Sequence, residues 1–197
     1  MQPFKLQTFN IPELKGISTK NVEEHLKLYA GYVKSINTIF EKLGEYMADP
    51  EKNAYVIGEL HRRIGFEFNG MRNHEYYFKS LEGSAKPLPK DSQFKKEVEK
   101  IAPSFEAAMM GFKTLATTRG IGWAILYWDK NSKQLMPAWV DEQHMGQLNG
   151  LGWVLGIDMW EHAYVYDYPT SEKKKYIEAF FENLNWEVVE ENFKKAQ

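Results

Sequence analysis

Between residues 18 and 43 the apolar side chains Val22, Leu26, Tyr29, Val33, Ile36, Phe40 and Leu43 recur every three or four positions, a spacing that a helix gathers into one continuous stripe. A helix cannot bury its own stripe, so the chain must supply a partner of matching length. The stretch 53–81 does so: its pattern is helical, it stops before Gly83, and it holds Gly65 and Gly70 as expected breaks or points of close packing. With Ser18 or Thr19 capping the first helix and Gly44 ending it, the two predict an antiparallel hairpin.

The segment "GSAKPLPKDSQ" then concentrates Pro, Ser, Gly and Lys, the composition of a linker. It sets the expected boundary near residue 88, with a helical hairpin domain at 1–88 and an α/β domain at 89–197. Short helices are expected over 91–100 and 104–117, the second capped by Ser104 after Pro103. Past residue 120 the period changes. "IGWAILYWD", "KNSKQ" and "LMPAWV" read as strand, turn and strand, and "GWVLGID" as a third strand. No helix-length crossover separates the first two, which makes them antiparallel. "SEKKKYIEAFFENL" and "WEVVEENFKKA" return to helical spacing. The expected fold class is α+β: an N-terminal antiparallel helical hairpin, then an α/β domain with a three-stranded antiparallel sheet flanked by helices.

Composition removes whole classes of chemistry. There is no cysteine among the 197 residues, so disulfides, thiolate nucleophiles and Cys-ligated metals are excluded. A formal charge of −2 from 25 basic and 27 acidic residues gives no sign of a nucleic-acid surface or a polybasic membrane patch. No 18-residue apolar run and no leader-like N-terminus is apparent, so no membrane partner is expected and the expected location is cytoplasmic.

What remains is carboxylate and imidazole. "GWVLGIDMWEHAYVYDYP" carries an apolar run directly into Asp158, Glu161 and His162. A buried lone charge is costly, so these groups must be paired with one another or with a metal. Both alternatives stand on the local sequence. His61 sits among charges in "ELHRRIG" and reads as a surface residue, whereas His25 and His74 lie beside apolar helix faces, where each alone would be an ordinary core-edge histidine. Taken together, one imidazole from each helix of the hairpin and the acid–imidazole pair at the strand end form a set of three nitrogens and one oxygen. Imidazole with a hard carboxylate suits iron or manganese.

"DMWEHAYVYDY" resembles the signature near the C-terminus of the iron/manganese superoxide dismutases, with Asp, Trp, Glu and His in that order and spacing. "NHEYYFKSL" looks like that family's second-helix motif, "GWAILYWD" like its first strand, and "YIEAFFENLNWEVVEENF" like its terminal helices. The resemblance implies the hairpin-plus-sheet fold above and a homodimer, with a tetramer as the alternative. It implies disproportionation of superoxide by one Mn or Fe ion per subunit, held by His74, Asp158 and His162. The fourth ligand departs from the pattern. The family places a His eight residues before a Tyr-Val pair; here Glu24 holds that spacing before Tyr32-Val33 and His25 stands seven before it. Seven steps of about 100° return a regular helix to within about 20°, which favours His25 over Glu24, the family's extra residue corresponding to a bulge absent here.

Tyr32 resembles the gateway tyrosine. A further His four residues after the ligand is replaced by Tyr29, or by Leu28 when counted from Tyr32, and its usual Tyr partner across the dimer by Val165. Gly70 offers no amide from the second helix, so Gln143, with His144 as the competing choice, would face the metal-bound solvent, a manganese-like arrangement. Tyr77 looks more like the iron type. Glu161 resembles the acid that reaches the partner's ligand His at the dimer interface, and Trp123, Trp160 and Tyr164 would wall the pocket. Two rival expectations are a catalytically altered superoxide-dismutase-like structural or interaction protein, and a mononuclear iron oxygenase.

Overall fold

The Ser18 hydroxyl accepts the Asn21 amide at 3.1 Å and starts α1, Thr19–Tyr46, in a computed structural model that describes residues 2–197. The helix runs past Gly44 for another two residues. Gly44 has open space where a side chain would stand, and a glycine there costs only about 1 kcal/mol relative to alanine, less than the burial of Leu43 returns. α2, Ala54–Leu81, is equally continuous through Gly65 and Gly70. These two are therefore points of close packing rather than breaks. A Cβ on Gly70 would lie 2.5 Å from the Tyr32 ring, and one on Gly65 3.3 Å from the His144 ring.

α1 and α2 pack as the expected hairpin. The segment before α1 lies along them: Phe4 packs on Phe40 and Phe68, and the Gln7 amide donates to the Tyr29 hydroxyl at 3.0 Å. The Pro-rich connection after α2 is stitched down as well. Asn185 donates its amide to Ser80 O at 2.8 Å and Trp186 to Lys86 O at 3.0 Å, so the residues on either side of α2's end are held by the chain's last turn.

Next come α3, Gln93–Ile101, and α4, Phe105–Ala116, each capped by a serine, Ser92 and Ser104. The sheet follows: β1, Gly122–Asp129, β2, Gln134–Asp141, and β3, Gly152–Asp158, in the order β2-β1-β3, both pairings antiparallel. β1 is central. Its unbroken apolar run is explained by burial on both faces, with α4 against β1 and β2, and α2 and α6 against β3. β2 is an edge strand with mixed exposure and accordingly tolerates Pro137. α5, Lys173–Asn183, and α6, Trp186–Ala196, complete the chain.

One buried acid ties the two ends of this second half together. Glu190 on α6, 2% exposed, accepts from the Ser92 hydroxyl at 2.6 Å, the Gln93 amide at 3.0 Å and the Phe94 amide at 3.2 Å. A carboxylate across the first turn of α3 satisfies amides that no helical carbonyl can reach. Burial opposes the charge, but these donors outweigh it and hold the carboxyl below its ordinary 4.5. A group with a depressed folded-state pKa stabilises above the unfolded value and loses that contribution as pH falls. Glu190→Gln should therefore cost about 1–3 kcal/mol at pH 7, and the gap from wild type should narrow below pH 4.5. Urea unfolding followed by tryptophan fluorescence at the two pH values checks both.

Candidate metal centre

Four side chains from four places in the chain meet at one point. His25 comes from the buried stripe of α1, His74 from the inner face of α2, Asp158 from the last position of β3, and His162 from the 3-10 turn Glu161–Ala163 that follows. His25 Nε2 and His162 Nε2 each lie 3.2 Å from Asp158 Oδ2, and His74 Nε2 lies 3.4 Å from the same oxygen. All four donor atoms fall within 4.8 Å of one another and could hold a metal ion. Donors about 2.1 Å from a shared ion stand about 3.0–3.6 Å apart at bond angles of 90–120°, which is the spacing of the three nitrogens from Asp158 Oδ2.

The tautomers agree with that use. His74 Nδ1 donates to Gly70 O at 2.5 Å, which leaves Nε2 as the lone pair, buried and without a hydrogen-bond partner. A fully buried acceptor normally has a partner; here it is grouped with the donor atoms of His25, Asp158 and His162. Burial drives His74 down to about 3, with His25 adding to the effect. Burial also lowers His25 against the opposing pull of Asp158. Burial alone would raise the Asp158 carboxyl, yet His162 and His25 hold it well below its ordinary 3.8, and the Trp160 amide donates to its other oxygen at 2.8 Å. His25 and His74, kept neutral by burial beside a carboxylate, are ready lone pairs.

A second layer of polar groups stands beside these donors. Asp141 and Met145 exchange backbone hydrogen bonds of 2.8 and 3.1 Å, closing a tight turn with Glu142 at φ +50° that pushes Gln143 inward to full burial. Trp123, the cross-strand neighbour of Asp158, donates its indole N–H to Gln143 Oε1 at 2.8 Å. That fixes the amide's orientation. Its Nε2 then donates to the Tyr32 hydroxyl at 2.9 Å, and the Tyr32 ring lies 5.1 Å from the His74 ring. Burial, then the charges of Asp158 and Glu67, push the Tyr32 phenol far above its ordinary range, so it holds its proton.

Of the alternatives open in the sequence, the structure brings His25 to the cluster and leaves Glu24 at the surface, paired with Lys20 and Lys27. α1 is regular throughout, with no bulge. Gln143, not His144, bonds Tyr32; the His144 ring packs against Phe66 and Gly65 instead. Tyr29 points away to α2, donating to Glu75 at 3.1 Å. Trp160 stacks on His162, Tyr77 lies against His25, and Tyr164 stacks on Tyr176 behind it. Glu161 is exposed, as is Val165. Asn73 and Gln147 were missed: Asn73 Nδ2 donates to Gln143 O at 3.2 Å, and Gln147 Nε2 donates to Asn73 Oδ1 at 3.2 Å. Their positions, beside His74 and four residues past Gln143, are the only signal the sequence offered.

Two outcomes follow from this geometry. The unfolded chain accepts protons on His25 and His74 near 6.5, and the folded one refuses them, so metal-free protein should lose stability as pH falls below 6.5, continuing towards about 3; thermal melts across that range measure it. Gly70→Ala should displace the Tyr32 ring and destabilise the fold by roughly 1–3 kcal/mol, with all four donors retained, as metal content after reconstitution would report.

The chain can now be set beside known proteins. The family model "Iron/manganese superoxide dismutases, C-terminal domain" matches residues 90–192. A protein of Aquifex aeolicus (strain VF5) named as an iron superoxide dismutase is 37% identical over 188 residues, 93% of this chain and 87% of the relative. One of Mycolicibacterium fortuitum named as a manganese superoxide dismutase is 31% identical over 183 residues, 89% of this chain and 84% of the relative. A hairpin delivering two imidazoles, an antiparallel sheet delivering an acid, and likeness over nine-tenths of the chain coincide: the chain belongs to the iron/manganese superoxide dismutase family.

Proposed function

We propose that this protein converts two superoxide anions and two protons to dioxygen and hydrogen peroxide, using one iron or manganese ion held by His25, His74, Asp158 and His162. The observation that carries this is the convergence of three imidazoles and one carboxylate on a common vertex, with His74 Nε2 buried and otherwise without a partner, in a member of this family. The ion, when bound, supplies the one-electron exchange by cycling between its divalent and trivalent states. Asp158 offsets part of its charge and leaves the centre attractive to an anion.

The chain's own groups supply the rest. Tyr32 keeps its proton and is half-buried, so its hydroxyl stands between solvent and the donors. Gln143, locked by Trp123, holds that hydroxyl in place, and a hydrogen-bonded chain of this kind can pass a proton inward. Trp123 and Trp160 exclude bulk water beside His74 and His162. Asn73 and Gln147 hold the turn that carries Gln143.

The curated relatives are named for either ion, and Gln143 supplied from the loop argues for manganese while Tyr77 argues for iron. The protein is a homodimer in this reading, with a tetramer as the larger alternative. Glu161 lies at the interface, supported by its exposure beside Val165 and Tyr166, apolar and aromatic side chains 51% and 59% exposed. The proposed location is cytoplasmic; no helix among the described residues is long and apolar enough to cross a membrane. The proposed domain boundary is near residue 88.

Reconstitution with each ion, elemental analysis and a superoxide assay test the reading together. His74→Ala should lose metal and activity, whereas Tyr32→Phe should keep the metal and slow turnover by roughly tenfold or more. Full occupancy in the first variant, or a loaded wild type without activity, would falsify it.

A further inference from the structure

The donor cluster is closed on most sides: His25 is 1% exposed, and His74 and Asp158 not at all. The half-buried Tyr32 and the partly exposed His162 mark the side open to solvent. Phe66 forms the rim there, its ring centroid 6.0 Å from that of Tyr32, 5.8 Å from His144 and 6.4 Å from Trp160. Two opposite charges flank it on α2. Glu67 sits inward, its side chain 10% exposed, and Arg63 sits outward, its side chain 48% exposed. Arg63 Nε donates to Glu67 Oε1 at 2.8 Å, and the guanidinium carbon lies 3.8 Å from the centre of the Phe66 ring. The aromatic face and the carboxylate together hold the guanidinium over the rim. Both charges are felt at the rim's phenol, Glu67 raising the Tyr32 pKa and Arg63 lowering it.

We propose that Arg63 sets the rate at which an anionic substrate reaches the centre, by cancelling the buried Glu67 carboxylate at the rim and presenting its own charge to solvent. The proposal rests on the dismutase reading. A bare carboxylate beside the path would repel a small monoanion over about 10 Å at moderate salt. With Arg63 in place, the approaching anion meets the cation first and the acid, already paired, behind it. Arg63 is thus a steering residue that touches no reacting atom. A merely structural i,i+4 ion pair would alter stability by a few tenths of a kcal/mol and leave anion capture alone.

The test compares wild type, Arg63→Gln, Glu67→Gln and the double variant, loaded with the same ion and normalised to metal content. Arg63→Gln should lower kcat/KM at low ionic strength by roughly threefold or more, leave kcat near wild type, and flatten or invert the fall of kcat/KM with salt. Glu67→Gln should raise kcat/KM and steepen that fall, with the double variant between the two. Binding of azide, a monoanion of similar size, measured by calorimetry, should weaken in Arg63→Gln and tighten in Glu67→Gln. Should Arg63→Gln fold poorly, Glu67→Gln carries the test alone. Unchanged kcat/KM, salt dependence and azide affinity in a fully loaded variant would overturn the inference. An inactive loaded wild type would instead overturn the dismutase reading, with the azide series still deciding the role of Arg63.

Discussion

The carboxylate of Asp158 is buried completely at the end of a strand whose other residues are almost all apolar, and the fold can be understood as the means of making that burial tolerable. An isolated charge in such a place would be driven to protonate. Instead two imidazoles from the hairpin and one from the following turn crowd its outer oxygen, and a backbone amide holds the other. None of these partners is local except His162 and Trp160. The hairpin must therefore dock on the sheet before the acid is satisfied, and the cluster joins the two through buried polar contacts. Removing any one member strands the others, which makes the cluster a seam between the hairpin and the sheet.

The polar layer around it obeys the same rule of complete pairing. Trp123 orients Gln143, Gln143 orients Tyr32, and Gln147, itself accepting from Tyr127 at 2.9 Å, holds the Gln143 carbonyl and the Asn73 side chain in register. Most of these groups have partners, and within the donor cluster the buried imidazole nitrogen without one is His74 Nε2. Gly70 enters this layer through what it lacks: without a Cβ, α2 can approach the Tyr32 ring closely enough for that ring to lie against both Gln143 and His74.

The elements of the fold were legible because their periods are strong. The α1 stripe, the run through β1 and the capping serines at 18, 92 and 104 each state a local preference that packing then confirms. Three of the four clustered side chains sit in short motifs and were legible for the same reason. His25 needed a geometric argument, that seven steps on a regular helix keep it on one face with Tyr32; α1 is regular and brings His25 to the cluster. The ends of helices were less legible: Gly44 looked like a stop, but a solvent-facing glycine costs a helix only about 1 kcal/mol, and α1 runs two residues on, to a cap in which the Met47 amide donates to Leu43 O. Asn73, Gln147 and Phe66 were not singled out, because most of their partners lie in other elements; Arg63 pairs within α2, where an i,i+4 pair with Glu67 reads along the chain as an ordinary solvated helix face.

The departures in α1 have a common physical logic. Where the family resemblance leads one to expect a histidine four residues past the ligand, Tyr29 turns its hydroxyl to Glu75 and accepts from the Gln7 amide, while Arg72 closes on the same carboxylate. Burial raises this phenol to about 12, so across the neutral range it is a fixed donor rather than a titrating relay. Its task is to fasten the N-terminal segment and α1 to α2. With Val165 aliphatic as well, that route offers no imidazole to carry a proton. In the proposed function the inward proton path consequently narrows to Tyr32 and Gln143, beside the rim formed by Phe66, Glu67 and Arg63, so that substrate and proton would share one opening and its charge balance would act on both.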